Sequence, residues 1–149
     1  MTVPYVYQLT IDVTSLAATI DISAPFSPIP FASQVTLVQF VPAQSQASDT
    51  AVASTLRTYS LYNRGQGAAT GTTRLAAGAI TSVSASITAF GTSATAGLVD
   101  NVASSLPLTA TTAFLTLAAG DVLEWESSHS GATGLRDVGG RAIVTLSRI

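Results

Sequence analysis

Three stretches of the chain alternate apolar and polar residues with the period of two that is typical of a β-strand with one buried face. Residues 5–13 place Tyr5, Tyr7, Leu9, Ile11 and Val13 on one side, and Gln8, Thr10 and Asp12 on the other. Residues 121–126 place Leu123 and Trp125 opposite Val122, Glu124 and Glu126, and residues 141–147 alternate in the same way. We predict a strand at each.

Shorter apolar runs predict further strands, and turn chemistry separates them. The expected strands are 19–23, 34–41, 58–62, 78–90 (bent) and 113–117. Asn63-Arg-Gly65 and the glycines from Gly67 to Gly71 tolerate a positive φ, and 118–121 predicts a tight turn. Short strands at such spacing favour an all-β fold, an antiparallel β-sandwich that is jelly-roll-like.

Two segments depart from this pattern. Residues 24–31 carry three prolines, which lack an N–H for a sheet ladder, so a stiff extended loop or an edge segment is expected. Residues 47–56 are the best helical segment, with Asp49 as its N-cap, and we expect at most one short helix. Residues 89–103 predict a long surface loop with a short edge strand.

The chain is long enough for one domain. Residues 1–31 are expected to form an N-terminal strand and arm with a proline-rich link, and residues 32–149 the jelly-roll-like sandwich of the same domain.

The composition indicates a component of a larger assembly rather than a monomeric β-sandwich. Charged residues are 9% of the chain and hydrophobic residues 47%, and there is no Lys and no Cys. A free monomer usually keeps about a quarter to a third of its surface charged, whereas interface cores are depleted in charge. We therefore expect partners to cover much of the exterior.

The same totals exclude several classes of function. Six scattered arginines and a net charge of −2 disfavour nucleic-acid binding. No apolar run reaches the roughly 20 residues of a membrane helix, and the N-terminus predicts no secretory signal. Absent cysteines exclude disulfides and fit synthesis in a reducing cytoplasm.

Few residues could support catalysis. Glu124 and Glu126 share a strand face and could form a glycosidase pair, but alternation alone explains their placement, and a solvated or interface face is favoured. His129 is expected on an exposed loop, and no Gly-x-Ser-x-Gly motif accompanies it. We expect no enzyme activity.

A metal site is also disfavoured. A single His excludes a three-histidine centre. Asp121 is expected to accept hydrogen bonds from backbone N–H groups of its turn. Its rival role is as a Ca²⁺ ligand with Glu124 or Asp137, but no Asp-rich run supports that. We expect no metal and no cofactor.

Aromatic residues are the candidates for contacts with partners. Trp125, the only Trp, is expected in the core. The tyrosines could form a carbohydrate surface, but core or interface positions are favoured. The candidate interface residues are Tyr5, Tyr7, Phe26, Phe31, Tyr59 and Tyr62.

Residues 58–149 carry a succession of features that resembles a known family. A strand ends in Leu61-Tyr62-Asn63, and a glycine-rich turn spans 65–73. A strand pair closes with Leu-Thr-Leu-Ala-Ala-Gly-Asp-Val-Leu at 115–123, and 130–134 precedes Gly-Gly-Arg-Ala-Ile-Val at 139–144. This order resembles the small β-sandwich proteins of tailed-phage virions, the head decoration (cement) proteins and head-fibre relatives.

The resemblance implies a jelly-roll-like fold, a non-enzymatic role and a homo-oligomer, a trimer in many relatives, on the surface of the capsid. The implied partners are the chain itself and the phage major capsid protein, after synthesis in the host cytoplasm. The alternative is a tail or head-fibre adhesin that binds host glycans through exposed aromatic residues.

Overall fold

The computed structural model describes residues 5–17, 20–45, 56–66, 71–81, 86–88, 94–98, 101–130 and 137–149. Within these residues the fold is an antiparallel β-sandwich. The strands are β1 (Val6–Val13), β2 (Ile22–Pro25), β3 (Ser33–Pro42), β4 (Leu56–Asn63), β5 (Thr73–Thr81), β6 (Ser86–Thr88), β7 (Ala94–Gly97), β8 (Ser104–Ser105), β9 (Thr116–Leu117), β10 (Leu123–Ser130) and β11 (Gly140–Arg148). The expected all-β fold is confirmed.

Strand pairings nest inside one another, as in a long hairpin that has been rolled up. β1 pairs with β11, β2 with β10, β3 with β9, and β4 with β5. The pairs β3·β11 and β4·β10 then join the strands into two sheets. We call these the β1 sheet, ordered β1-β11-β3-β8 with β9 also on β3, and the β2 sheet, ordered β2-β10-β4-β5-β6-β7. This nesting is the connectivity of a jelly roll.

The core lies between the two sheets, and three aromatic rings lie within it. Phe40 of the β1 sheet stacks on Tyr59 and Trp125 of the β2 sheet, with ring centroids 4.6 and 5.5 Å apart. Tyr59 and Trp125 are themselves 5.6 Å apart. All three side chains are fully buried, so this stack binds one sheet to the other. The expectation that Trp125 is a core residue is confirmed.

Alternation predicted the long strands well. β1, β10 and β11 begin and end within a few residues of the expected strands and keep the expected faces. Leu123 and Trp125 point inward, and Glu124 and Glu126 point outward.

Strands with weak alternation were predicted less well. β5 begins at Thr73, five residues before the expected start, because its pairing with β4 determines its length. The expected strand at 113–117 is largely a 3-10 turn, Thr112–Leu115, that leaves only Thr116 and Leu117 in β9. The turn buries Leu115 while Phe114 remains exposed.

The remaining differences lie around the proline-rich segment and the expected helix. β2 begins at Ile22 rather than residue 19, and it ends at Pro25 on the edge of its sheet, where a missing N–H is tolerated. Residues 47–55 of the expected helix, with Asp49, lie outside the described residues, and Leu56 opens β4. β1 and β2 are each paired with a long strand, so both belong to the sandwich itself.

Candidate interaction surface

The structure divides the six candidate interface residues into three groups. Phe26 and Tyr59 are 5% and 0% exposed. The prediction that they form an interface is therefore corrected, because both rings lie in the core of the chain. Tyr62 lies on the outer face of the β2 sheet. Tyr5, Tyr7 and Phe31 meet beside the start of β1.

Tyr5, Tyr7, Phe31 and Arg148 form a surface cluster that we call the Tyr5 patch. Phe31 packs edge-on against both tyrosines, with ring centroids 5.7 and 5.1 Å away. The guanidinium of Arg148 lies 4.9 Å from the centre of the Phe31 ring, and the hydroxyls of Tyr7 and Ser33 are 2.8 Å apart. These contacts hold the rings while Tyr5 remains 60% exposed.

The acidic side chains that reach the described surface all have a cationic partner. Asp12 accepts a hydrogen bond from Arg141 at 2.9 Å at the far end of β1 and β11. Asp21 lies 3.7 Å from Arg57, and Glu124 and Glu126 contact Arg64. The two other described carboxylates, Asp121 and Asp137, are buried. The carboxylates on the described surface therefore leave little unbalanced negative charge there.

Glu124 and Glu126 lie together on the outer face of β10, as alternation predicted, and Arg64 draws them into one ion-pair cluster. Arg64 donates from Nε to Glu124 at 2.8 Å, and its Nη2 lies 3.7 Å from Glu126. The same guanidinium lies 4.5 Å from the centre of the Tyr62 ring. The arrangement gives both carboxylates the same cationic partner on the outer face of the sheet.

Asp121 lies in the turn before β10 and acts as the sequence predicted. Its Oδ2 accepts hydrogen bonds from the backbone N–H of Ala118 and the side-chain amide of Asn63, both at 3.0 Å. Asn63 in turn accepts from the N–H of Gly65, whose φ is +75°. The carboxylate therefore ties the turn before β10 to the turn after β4.

A buried polar centre was missed from the sequence. Arg57 is fully buried and donates to the carbonyls of Ile20 and Ala17 at 2.8 and 3.3 Å. Asp137, also fully buried, accepts from the Gly139 N–H at 2.9 Å and from the Tyr59 hydroxyl at 3.4 Å. The sequence does contain a signal for the burial of Arg57, because alternation places it on the same strand face as Tyr59 and Leu61.

Burial disfavours ionisation of the Tyr59 hydroxyl in this centre. Desolvation, reinforced by the nearby Asp137 charge, raises the pKa of Tyr59 well above its ordinary value. The Oδ2 atom of Asp137 has no hydrogen-bond partner among the described atoms. The centre links the chain before β2, strand β4 and the chain before β11, so we assign it a structural role.

His129 lies near the end of β10 rather than on a loop. Its Nδ1 is 2.7 Å from Oδ1 of Asp21, and its backbone N–H donates to the same oxygen. Arg57 lies 3.7 Å from that oxygen as well. The hydrogen bond from the His129 side chain is the largest cause that lowers the pKa of Asp21 below 3.8.

This lowered pKa predicts an acid-dependent loss of stability. A depressed carboxyl pKa contributes stability that is present above the unfolded pKa of about 3.8 and disappears as the pH falls through the folded value. We expect Asp21→Asn to be less stable than the wild type at neutral pH, by less than about 1 kcal/mol because Asp21 is half exposed. The difference should close below pH 4 in urea titrations followed by Trp125 fluorescence.

The control repeats the measurement in a His129→Gln variant. There the destabilisation by Asp21→Asn should be smaller but still present, because the backbone N–H of residue 129 still donates to Asp21. An Asp21→Asn difference that is equally large at pH 3 and pH 7 would contradict the prediction.

Other site types find little support in the described residues. They contain no group of three or more His, Asp or Glu side chains that could hold a metal ion, and no helix among them has the length and apolar character to cross a membrane. A shallow groove of about 480 Å³ runs past Asp12, Val41, Pro42 and Arg141. Its two charged residues neutralise each other, so it offers an ionic ligand no net charge.

Comparison with known proteins shows a distant likeness among solved structures. The sequence matches no protein-family model and no curated protein. Among solved structures, the fold is similar to a chain in the structure of infectious bursal disease virus, Gx strain, with 19% sequence identity and a TM-score of 0.36. The match covers 97% of this chain and 32% of that chain, so this chain spans about a third of its length.

Proposed function

We propose that the chain is a structural virion protein, a capsid decoration protein that associates with copies of itself and binds the outer surface of a capsid. The observation that carries the proposal is the low unbalanced charge of the described surface. Each acidic side chain on the described surface has an arginine within 4 Å, while Tyr5 and Val6 are 60% and 55% exposed. Interfaces favour such a surface because little charge has to lose its hydration on binding.

The fold is compatible with the proposal. Jelly rolls occur in viral capsid proteins, in lectins and in enzymes, so function has to be argued from the surface. The resemblance of residues 58–149 to head decoration proteins implies a homo-oligomer, a trimer in many relatives, with the major capsid protein as its partner. The cluster of Arg64, Glu124 and Glu126 supports a non-enzymatic role.

The test is a mass measurement followed by co-sedimentation with capsids. We expect the purified chain to be larger than its 15.1 kDa monomer in light scattering. It should also pellet with capsids of the virus that encodes it and saturate at a fixed ratio to the major capsid protein. A monomer that stays in the supernatant at every concentration would contradict the proposal.

A second candidate function, glycan binding by a fibre adhesin, is favoured only by the Tyr5 patch. Aromatic faces bind sugars, and the Tyr5 ring is accessible. Trp125 is fully buried and cannot contribute. Binding on a glycan array that is lost in Tyr5→Ala, together with no pelleting on capsids, would favour the adhesin over the decoration protein.

A further inference from the structure

Strand β1 is a long sheet edge that lacks the usual protection. It has eight residues, Val6–Val13, and among the described strands it pairs only with β11. Natural proteins protect edges with Lys, Pro, bulges or short strands. β1 contains neither Lys nor Pro, and its ladder with β11 runs without a register shift.

The other described edges show the protection that β1 lacks. β2 and β7 have four residues each, and β2 ends at Pro25. β8 and β9 have two residues each. The long open edge is therefore a local feature of β1 and not a general property of the two sheets.

The hydrogen bonds to β11 show which groups of β1 face outward. The carbonyl of Tyr5 accepts from the N–H of Arg148 at 2.9 Å. Both backbone groups of a strand residue point to the same side, and the side alternates. The odd residues therefore bond to β11, and Val6, Gln8, Thr10 and Asp12 direct their N–H and C=O groups to the open edge.

We propose that two copies of this chain pair through β1, antiparallel about a two-fold axis that passes between their Leu9 residues. This register places residues 5–13 of one copy opposite residues 13–5 of the other. It pairs Gln8 with Thr10 and Val6 with Asp12 through the outward backbone groups, and the two five-stranded sheets become one continuous sheet.

A second copy fits this edge because the strand is complementary to itself. The register puts odd residues opposite odd residues, so the faces of the sheet are kept. Tyr7 meets Ile11, and Leu9 meets Leu9; all three are half-exposed in the single chain and become covered. Asp12 is already neutralised by Arg141 and meets Val6, so no like charges face each other.

This contact goes beyond the proposed function because it needs no capsid. An isologous two-fold contact produces an even number of copies. On its own it gives a dimer, and with a three-fold contact elsewhere on the surface it joins two trimers.

The first test uses charge at the open edge. We expect Gln8→Lys/Thr10→Lys to separate the copies, because four cations then lie across the axis. Gln8→Glu/Thr10→Glu should separate the copies in the same way, through four anions. An equimolar mixture of the two variants should restore the wild-type mass, because opposite charges then face each other. The matched control, Thr36→Lys/Gln39→Lys, adds the same charge to the outer face of β3 and should leave the mass unchanged.

The readout is the mass from light scattering, with Trp125 fluorescence to show that each variant is folded. An even-numbered wild type that halves in both edge variants and recovers on mixing supports the proposal. A wild type that is monomeric, or trimeric with its mass unchanged in the edge variants, overturns it. The trimeric result would leave the decoration function standing, so the two failures are distinguishable.

The second test measures the register. Opposed residues of a pair without hydrogen bonds have Cα atoms about 4.5 Å apart, within disulfide range. The chain has no Cys, so Leu9→Cys should form a disulfide-linked dimer on oxidation. Ile11→Cys is the control. In this register Ile11 lies opposite Tyr7, so the two Ile11 residues of the dimer are four residues apart along the strands, roughly 13 Å. Equal cross-linking of both, or none at Leu9→Cys, overturns the proposed register.

Discussion

Gly140→Ala should destabilise the sandwich more than any other change of a single methyl group discussed here. Gly140 opens β11 with φ of +147° and lies between Val13 of β1 and Pro42 of β3. A Cβ atom there would lie 2.1 Å from the carbonyl oxygen of Val41 and 2.9 Å from Cα of Pro42. Both are backbone atoms, so neither can move without separating the strands.

We expect a loss of about 3 kcal/mol or more in the free energy of unfolding, which places this substitution in the tail of measured single-mutant effects. Urea denaturation followed by Trp125 fluorescence measures it. Gly65→Ala is the matched control, since Gly65 also has a positive φ but its Cβ would meet nothing within 4 Å.

Gly65→Ala should therefore show only the left-handed strain, about 1 kcal/mol. Equal losses for the two substitutions would show that the β3–β11 contact is looser than the structure has it.

Trp125→Ala should be the most damaging side-chain truncation in the core. The indole is fully buried and stacks on Phe40 and Tyr59, so its removal opens a cavity between the sheets. Truncation of a buried Trp costs about 3–5 kcal/mol. Its Nε1 atom has no hydrogen-bond partner in the described structure, so the loss comes from packing rather than from a broken hydrogen bond.

Circular dichroism is the measurement for this variant, because the substitution removes the only Trp. Phe114→Ala is the control: its ring is 48% exposed on the 3-10 turn, and the change should stay within about 0.5 kcal/mol. A Trp125→Ala loss as small as that of Phe114→Ala would contradict the central position of the stack.

The proposed function and the proposed β1 contact follow from one property of the chain, which is how little charge it presents to water. In a sheet edge, Lys is a common defence against pairing with another chain. This chain has no Lys at all, so the edge of β1 lacks that defence, and the proposed second copy would cover it.

Alternation in the sequence was sufficient for the all-β class, for the faces of β1, β10 and β11, and for the burial of Trp125. It also predicted the turns at Gly65 and Asp121, because these depend on residues close together in the chain. Strands without strong alternation, such as β5 with its run Leu75-Ala76-Ala77, could not be placed, since their limits depend on pairing with a distant strand.

Which aromatic rings form a surface was decided only by the tertiary structure. The sequence shows which residues share a face of one strand but not which second layer that face meets. Tyr5 and Tyr59 both occupy alternating strands, yet Tyr59 lies beneath Phe40 of the opposite sheet while Tyr5 lies at the open end of an edge strand. Burial of Arg57 and Asp137 has the same origin, because their partners come from segments far apart in the chain and meet only when the sheets pack.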